Sequence, residues 1–78
     1  MSVAAGTRCR VVTDTDGERF VSTVVLSPVE ADGYLHTEAD LHERAGWSVV
    51  RFERAIVCLR GGVTRRIWLR TLNPMEDS

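Results

Sequence analysis

Seven of the ten basic residues lie in one stretch, from Arg44 to Arg70, where Glu53 is the only acid. Guanidinium groups bind phosphates and carboxylates through two parallel hydrogen bonds, and Trp47 and Trp68 add rings on which a base or an arginine can stack. This pattern indicates a surface for an anionic macromolecule. The candidate nucleic-acid contacts are Arg51, Arg54, Arg60 and Arg65.

The first 43 residues have the opposite charge, with three arginines against eight acids. Glu76 and Asp77 at the C-terminus add two more acids, so the whole chain carries a net charge of −1. A nucleic-acid-binding domain is usually basic overall. We therefore favour arginines that pair with the N-terminal acids inside the fold or across a dimer, and we keep nucleic-acid binding as the alternative.

Histidine and cysteine are the other residue types that could do chemistry. His36 and His42 are six residues apart, which is not the i, i+4 spacing that aligns two imidazoles on a helix, so we predict two surface histidines and no metal site. Cys9 and Cys58 lack C-x-x-C spacing and are predicted to be buried thiols, with a disulfide as the alternative if their strands are neighbours. The chain contains neither a G-x-S-x-G turn nor a glycine-rich phosphate loop, and we expect no catalytic residue and no cofactor.

Two short segments, Val29–His36 and Ala45–Phe52, are similar to motifs of a known enzyme family. They resemble the hydrophobic-E-x-D-G-x-x-H and G-W-x-V-x-R-F motifs of endonucleases related to very-short-patch repair enzymes. The resemblance implies that Glu30 and Asp32 bind a divalent metal ion and that His36 assists phosphodiester hydrolysis. In that family the acidic segment is a central strand, whereas Pro28 and Asp32-Gly33 predict a loop here. A minimal metal-dependent nuclease is therefore the second alternative.

The first half of the chain predicts a β-hairpin. Residues 7–13 and 19–26 are rich in β-branched side chains, and Asp16-Gly17 between them is typical of a two-residue hairpin turn. This register places Thr15 opposite Glu18 and Asp14 opposite Arg19. Three further pairs should lie on the core face: Thr13/Phe20, Val11/Ser22 and Cys9/Val24.

A loop is predicted over residues 28–36, followed by a short helix from Glu38 to Ala45 with Thr37 as its N-cap. Leu41 and Ala45 should face the sheet. Residues 47–72 predict strands again, with one long strand bent near Glu53-Arg54 and a hairpin turn at Gly61-Gly62. The expected fold is a small two-layer α+β domain of order β-β-α-β-β, in which one short helix covers an antiparallel sheet of about four strands.

One short helix can cover only one face of such a sheet. The other face of the C-terminal hairpin should then meet a partner. The candidate partner-binding residues are Val57, Leu59, Arg66, Trp68 and Arg70. Since aromatic residues and arginine are typical of interface hot spots, we predict a protein-binding module that also forms a homodimer.

Composition limits the remaining possibilities. With 78 residues and 44% hydrophobic residues, the chain predicts a single folded domain, in which residues 1–6 and 73–78 should fray. It lacks a signal-like or membrane-spanning stretch, so we expect a cytoplasmic protein with no membrane partner. Arginine is used without lysine, which is typical of a GC-rich genome such as that of an actinobacterium or its phage. An accessory or regulatory protein, for example an inhibitor, suits this setting.

Overall fold

The computed structural model describes residues 7–73 and Met75, which form one antiparallel sheet and a helix packed on one of its faces. The strands are β1 (Cys9–Thr15), β2 (Glu18–Val21), β3 (Ser48–Arg51), β4 (Ala55–Arg60) and β5 (Val63–Thr71), and the helix is α1 (Pro28–Arg44). The sheet order is β2-β1-β5-β4-β3. The α+β class is confirmed, but the sheet has five strands where about four were predicted. The expected fraying concerns residues that lie mostly outside the described part of the chain.

The hairpin of β1 and β2 has the predicted register near its turn. Asp16 and Gly17 adopt φ angles of 51° and 91°, as a type I′ turn requires. Thr15 pairs with Glu18, and Asp14 pairs with Arg19.

The second strand ends at Val21, so the prediction that it continues to residue 26 is wrong. The Ser22 hydroxyl accepts a hydrogen bond from the amide of Val24 at 3.1 Å, which turns the chain away from β1. Leu26 returns to pair with Cys9, where Val24 was predicted. Phe20 and Val24, which were expected in the core, are exposed.

The helix is twice as long as predicted and begins at Pro28, so the prediction of a loop over residues 28–36 is wrong. Ser27 is the N-cap: its hydroxyl accepts from the amide of Glu30 at 3.2 Å, and the Glu30 carboxylate accepts from the amide of Ser27 at 2.9 Å. With Pro28 in the first turn, this is a capping box that starts a helix. Thr37 lies inside the helix.

The earlier start also sets which helix residues face the sheet. Ala31, Leu35, Ala39 and His42 are buried, at spacings of three and four residues. Leu41 is 50% exposed and Ala45 is exposed, so the prediction that these two residues face the sheet is wrong.

Strands β3 and β4 form a hairpin, and the predicted single bent strand is wrong. The amide of Phe52 donates to the carbonyl of Ala55 at 2.8 Å, and Val50 pairs with Val57. The polar pair Glu53-Arg54 therefore marks a turn. The next hairpin is as predicted, with Cys58 opposite Arg65, Ile56 opposite Ile67 and Ala55 opposite Trp68.

The core lies between α1 and the sheet. Its buried residues are Val11, Leu35, Ala39, Ile56, Cys58 and Ile67. Cys9 and Cys58 are buried free thiols, as expected, and burial raises the pKa of each thiol. In the described part of the chain, no helix is long and apolar enough to cross a membrane.

Candidate binding face

The strand register divides the side chains of the sheet between two faces. Residues that pair in neighbouring antiparallel strands point to the same side, so Val12, Trp68 and Ala55 share one face. The core residues Val11, Ile67 and Ile56 share the other face, which α1 covers. We call the face opposite α1 the open face. It consists of Arg10, Val12, Asp14, Arg19, Val21, Ser48, Val50, Ala55, Val57, Leu59, Thr64, Arg66, Trp68 and Arg70.

The middle of the open face is apolar. Val12 lies between Val21 and Trp68 and is only 2% exposed. Exposure rises toward the β3 edge, where Leu59 is 46% and Val50 is 49% exposed. An apolar strip therefore crosses the sheet and reaches solvent at one side.

Arginines surround this strip. The guanidinium of Arg19 lies 5.1 Å from the centre of the Trp68 ring and 3.7 Å from a carboxylate oxygen of Asp14. Arg10 donates to the carbonyls of Ser22 and Thr23 at 3.2 and 2.7 Å and lies directly opposite Arg70. Of the charged residues on the open face, four are arginines and only Asp14 is acidic.

The structure brings together every residue of the candidate partner-binding set. Val57, Leu59, Arg66, Trp68 and Arg70 all belong to the open face. The sequence interpretation missed the contribution of β1 and β2, above all Arg10, Val12, Arg19 and Val21. Alternation along β1 shows which residues share a face, but only the pairing of β1 with β5 shows that this face adjoins Trp68.

The candidate nucleic-acid contacts do not converge. Arg51 lies on the helix side, where it donates to Asp40 at 2.9 Å and to Glu43 at 2.8 Å, and its hydrogen bond lowers the pKa of Asp40. Arg54, in the β3–β4 turn, donates to the Thr71 hydroxyl at 3.0 Å. Arg60 is exposed at the end of β4, on the helix side.

The fourth of these arginines, Arg65, is half-buried beneath the end of α1. It donates to the Thr15 hydroxyl and to Nε2 of His42, both at 3.0 Å, and lies 4.7 Å from the centre of the Trp47 ring. The prediction of a surface histidine is therefore wrong for His42, which is only 9% exposed. His36 is exposed, as predicted.

The residues implied by the nuclease resemblance lie on α1 rather than on a strand. Glu30 is held by the amide of Ser27, which lowers the pKa of its carboxyl group. At 100° per residue, Asp32 and His36 lie on the side of the helix away from Glu30. Asp32 and His36 line a cleft of about 200 Å³ between α1 and the β3–β4 turn. Among residues 7–73 and Met75, no group of three or more histidine, cysteine and acidic side chains is placed to hold a metal ion.

Comparison with family models, with curated proteins and with solved structures finds no match to this chain. Any functional argument must therefore start from the geometry. The open face is the largest set of predicted functional residues that this geometry brings together.

Proposed function

We propose that this protein is a small non-enzymatic binding module that docks on another protein through its open face. The observation that carries the proposal is the apolar strip on the sheet face that α1 does not cover. Fully burying an exposed aliphatic side chain contributes about 1.5–3 kcal/mol. Leu59 and Val50 are about half exposed, so a partner that covers them would gain about half of this contribution from each.

The shape and composition of the open face suit a macromolecule better than a small ligand. Small ligands bind in concave pockets, whereas this face is a sheet surface. Tryptophan and arginine are the residues most enriched in protein-interface hot spots, and here Trp68 is surrounded by arginines.

Nucleic acid is the second candidate partner, and the four arginines of the open face favour it. Platforms for single strands, however, stack successive bases on exposed aromatic rings. Trp68 is the only aromatic residue of this face, and Arg19 lies over its ring. We therefore place a protein partner first.

The cysteines bear on where such a module works. Both thiols are free, which fits a reducing compartment, and the cytoplasm is the location that we propose. An accessory or regulatory protein that acts by binding suits this small domain.

A capture experiment with matched variants tests the proposal. The immobilised wild-type chain, an open-face variant (Leu59→Ser with Arg66→Gln) and a helix-side control (Leu41→Ser with Arg60→Gln) are each incubated with lysate of the native host. Leu59 and Leu41 are about equally exposed, at 46% and 50%, so the two variants remove the same groups from opposite sides. Bound proteins are identified by mass spectrometry.

We expect a protein that the wild type and the control retain and the open-face variant loses. Retention of the same proteins by all three chains, or loss in the control alone, would contradict the proposal. A nuclease-sensitive nucleic acid that depends on the open face would move the second candidate to first place.

A further inference from the structure

We infer that the segment bound by the open face is acidic, with carboxylate side chains interspersed among apolar ones. The inference rests on the proposed function and adds the chemistry of the partner. It starts from the charge of the face, where four arginines surround the apolar strip and, among the residues that the structure describes, Asp14 is the only carboxylate.

The strand register concentrates this charge. Arg66 and Arg70 lie on either side of Trp68 along β5, and Arg10 lies opposite Arg70 on β1. Arg66 is exposed beside Val57, so a carboxylate that meets Arg66 would bring its neighbouring side chains onto the apolar strip. A partner with carboxylates at this spacing pairs with Arg66 and buries the strip at the same time.

The other side of the molecule has the opposite charge. Helix α1 carries Glu30, Asp32, Glu38, Asp40 and Glu43, with Arg44 as its only arginine. Arginines of the sheet on the same side offset part of this negative charge: Arg51, Arg60 and Arg65. The net charge of −1 therefore hides two faces of opposite sign. A neutral total does not prevent one face from attracting an acidic partner, because an interface responds to the local potential.

This charge pattern also favours an acidic protein segment over two other partners, a second copy of the chain and a single-stranded nucleic acid. A second copy packed face to face would oppose the same arginines on both sides. A single-stranded nucleic acid would satisfy the arginines but would leave the aliphatic residues Val50, Leu59 and Val57 without matching groups. An acidic segment with apolar side chains satisfies both parts of the face.

Peptide binding measured by fluorescence anisotropy tests the inference. The probes are a short labelled peptide that alternates leucine with glutamate, counterparts with lysine or serine in place of glutamate, and a single-stranded oligothymidine. Each is titrated with the wild type, Arg66→Gln, Arg60→Gln and Leu59→Ser, at low and high salt. Arg60→Gln is the matched control, because it removes one exposed arginine from the same hairpin on the other face.

We expect the glutamate peptide to bind more tightly than the lysine and serine peptides, and its binding to weaken as salt is added. Arg66→Gln should weaken it roughly two- to fivefold, the size typical of an exposed ion pair, and Arg60→Gln should not. Leu59→Ser should also weaken it.

The other outcomes overturn the inference in distinguishable ways. If the serine or lysine peptide binds as tightly and Leu59→Ser weakens it, the acidic partner is wrong and the proposed function stands. If neither Leu59→Ser nor Arg66→Gln changes the binding, both the acidic partner and the proposed function of the open face are wrong. Preference for oligothymidine, or no binding of the glutamate peptide, overturns the inference and leaves the capture experiment to decide the proposed function.

Discussion

Nη1 of Arg65 lies 3.0 Å from Nε2 of His42, and this contact ties the end of α1 to the middle of the sheet. Nδ1 of His42 lies 2.7 Å from the carbonyl oxygen of Glu38, which can only accept. Nδ1 therefore donates its hydrogen, and Nε2 accepts from the guanidinium. Since Arg65 also lies over Trp47 and donates to Thr15, one side chain links α1, β5 and β1.

The first prediction is that His42→Leu destabilises the fold. The substitution leaves a half-buried guanidinium without one of its acceptors, which costs about 1–3 kcal/mol. Urea denaturation followed by circular dichroism measures the change. His36→Leu is the control, since His36 is exposed and should change the free energy of unfolding by less than about 0.5 kcal/mol. Equal losses in the two variants would contradict a structural role for the His42–Arg65 contact.

The second prediction concerns Gly33, in the middle of α1. A Cβ added at Gly33 would meet no atom within 4 Å, so Gly33→Ala should stabilise the protein by about 0.5–1 kcal/mol through helix propensity. Gly46→Ala is the comparison: Gly46 has a φ of +92°, which alanine adopts only with strain, and we expect a loss of stability. Thermal unfolding of both variants measures the effects. A destabilised Gly33→Ala variant would show that residue 33 is not in a regular helix.

Gly33 also shows why the helix was predicted too short. Asp32-Gly33 is a common turn sequence and predicts a loop, whereas Ser27-Pro28-Val29-Glu30 satisfies the pattern of a capping box and starts the helix. The burial of Ala31 and Leu35 against the sheet compensates for the low helix propensity of glycine, and such tertiary compensation cannot be seen in a local sequence window.

The third prediction distinguishes the N-cap in the structure from the one predicted from the sequence. Ser27→Ala removes the hydroxyl that accepts from the Glu30 amide and should cost about 1 kcal/mol. Thr37→Ala should cost nothing, because Thr37 is an exposed residue inside the helix and alanine is the better helix former. The free energy of unfolding of both variants, measured by chemical denaturation, decides whether Ser27 or Thr37 is the N-cap. Greater destabilisation by Thr37→Ala would mean that the helix begins near residue 38.

The fourth prediction is a pH effect at Asp40. The hydrogen bond from Arg51 holds the pKa of the Asp40 carboxyl below its ordinary value of about 3.9. A depressed folded-state pKa stabilises the fold above the unfolded value, and this stabilisation is lost as the pH falls through the folded value. Arg51→Gln should move the pKa of Asp40 up toward the ordinary value, as measured by NMR titration. Arg60→Gln should leave it unchanged, and an equal shift in both variants would mean that the general field, not the Arg51 contact, sets this pKa.

The candidate site was predictable in part because its signals are local. Alternation around the Gly61-Gly62 turn is enough to place Val57, Leu59 and Trp68 on one face. The pairing of β1 with β5 joins residues 50 to 62 positions apart, and no local pattern indicates that Arg10 lies beside Arg70. The same long-range packing holds Arg51 and Arg65 against α1. The exposed basic surface is therefore smaller than the number of arginines in the C-terminal half suggests.

The fifth prediction concerns the homodimer, whose response to salt should be opposite to that of acidic-peptide binding. Face-to-face contact would bury Leu59 and Val50, but it would also bring the arginines of two copies together. Salt screens this repulsion, with a Debye length of about 3 Å at 1 M, and leaves the apolar contribution in place. We therefore expect light scattering to give the mass of one chain at low salt and a rise toward twice that mass at high salt, which Leu59→Ser suppresses. A dimer that dissociates as salt is added would mean that ion pairs, such as Arg66 with Glu53 of the second copy, hold it together. In that case the arginines of the open face would be satisfied by the chain itself, and the argument for an acidic partner would lose its basis.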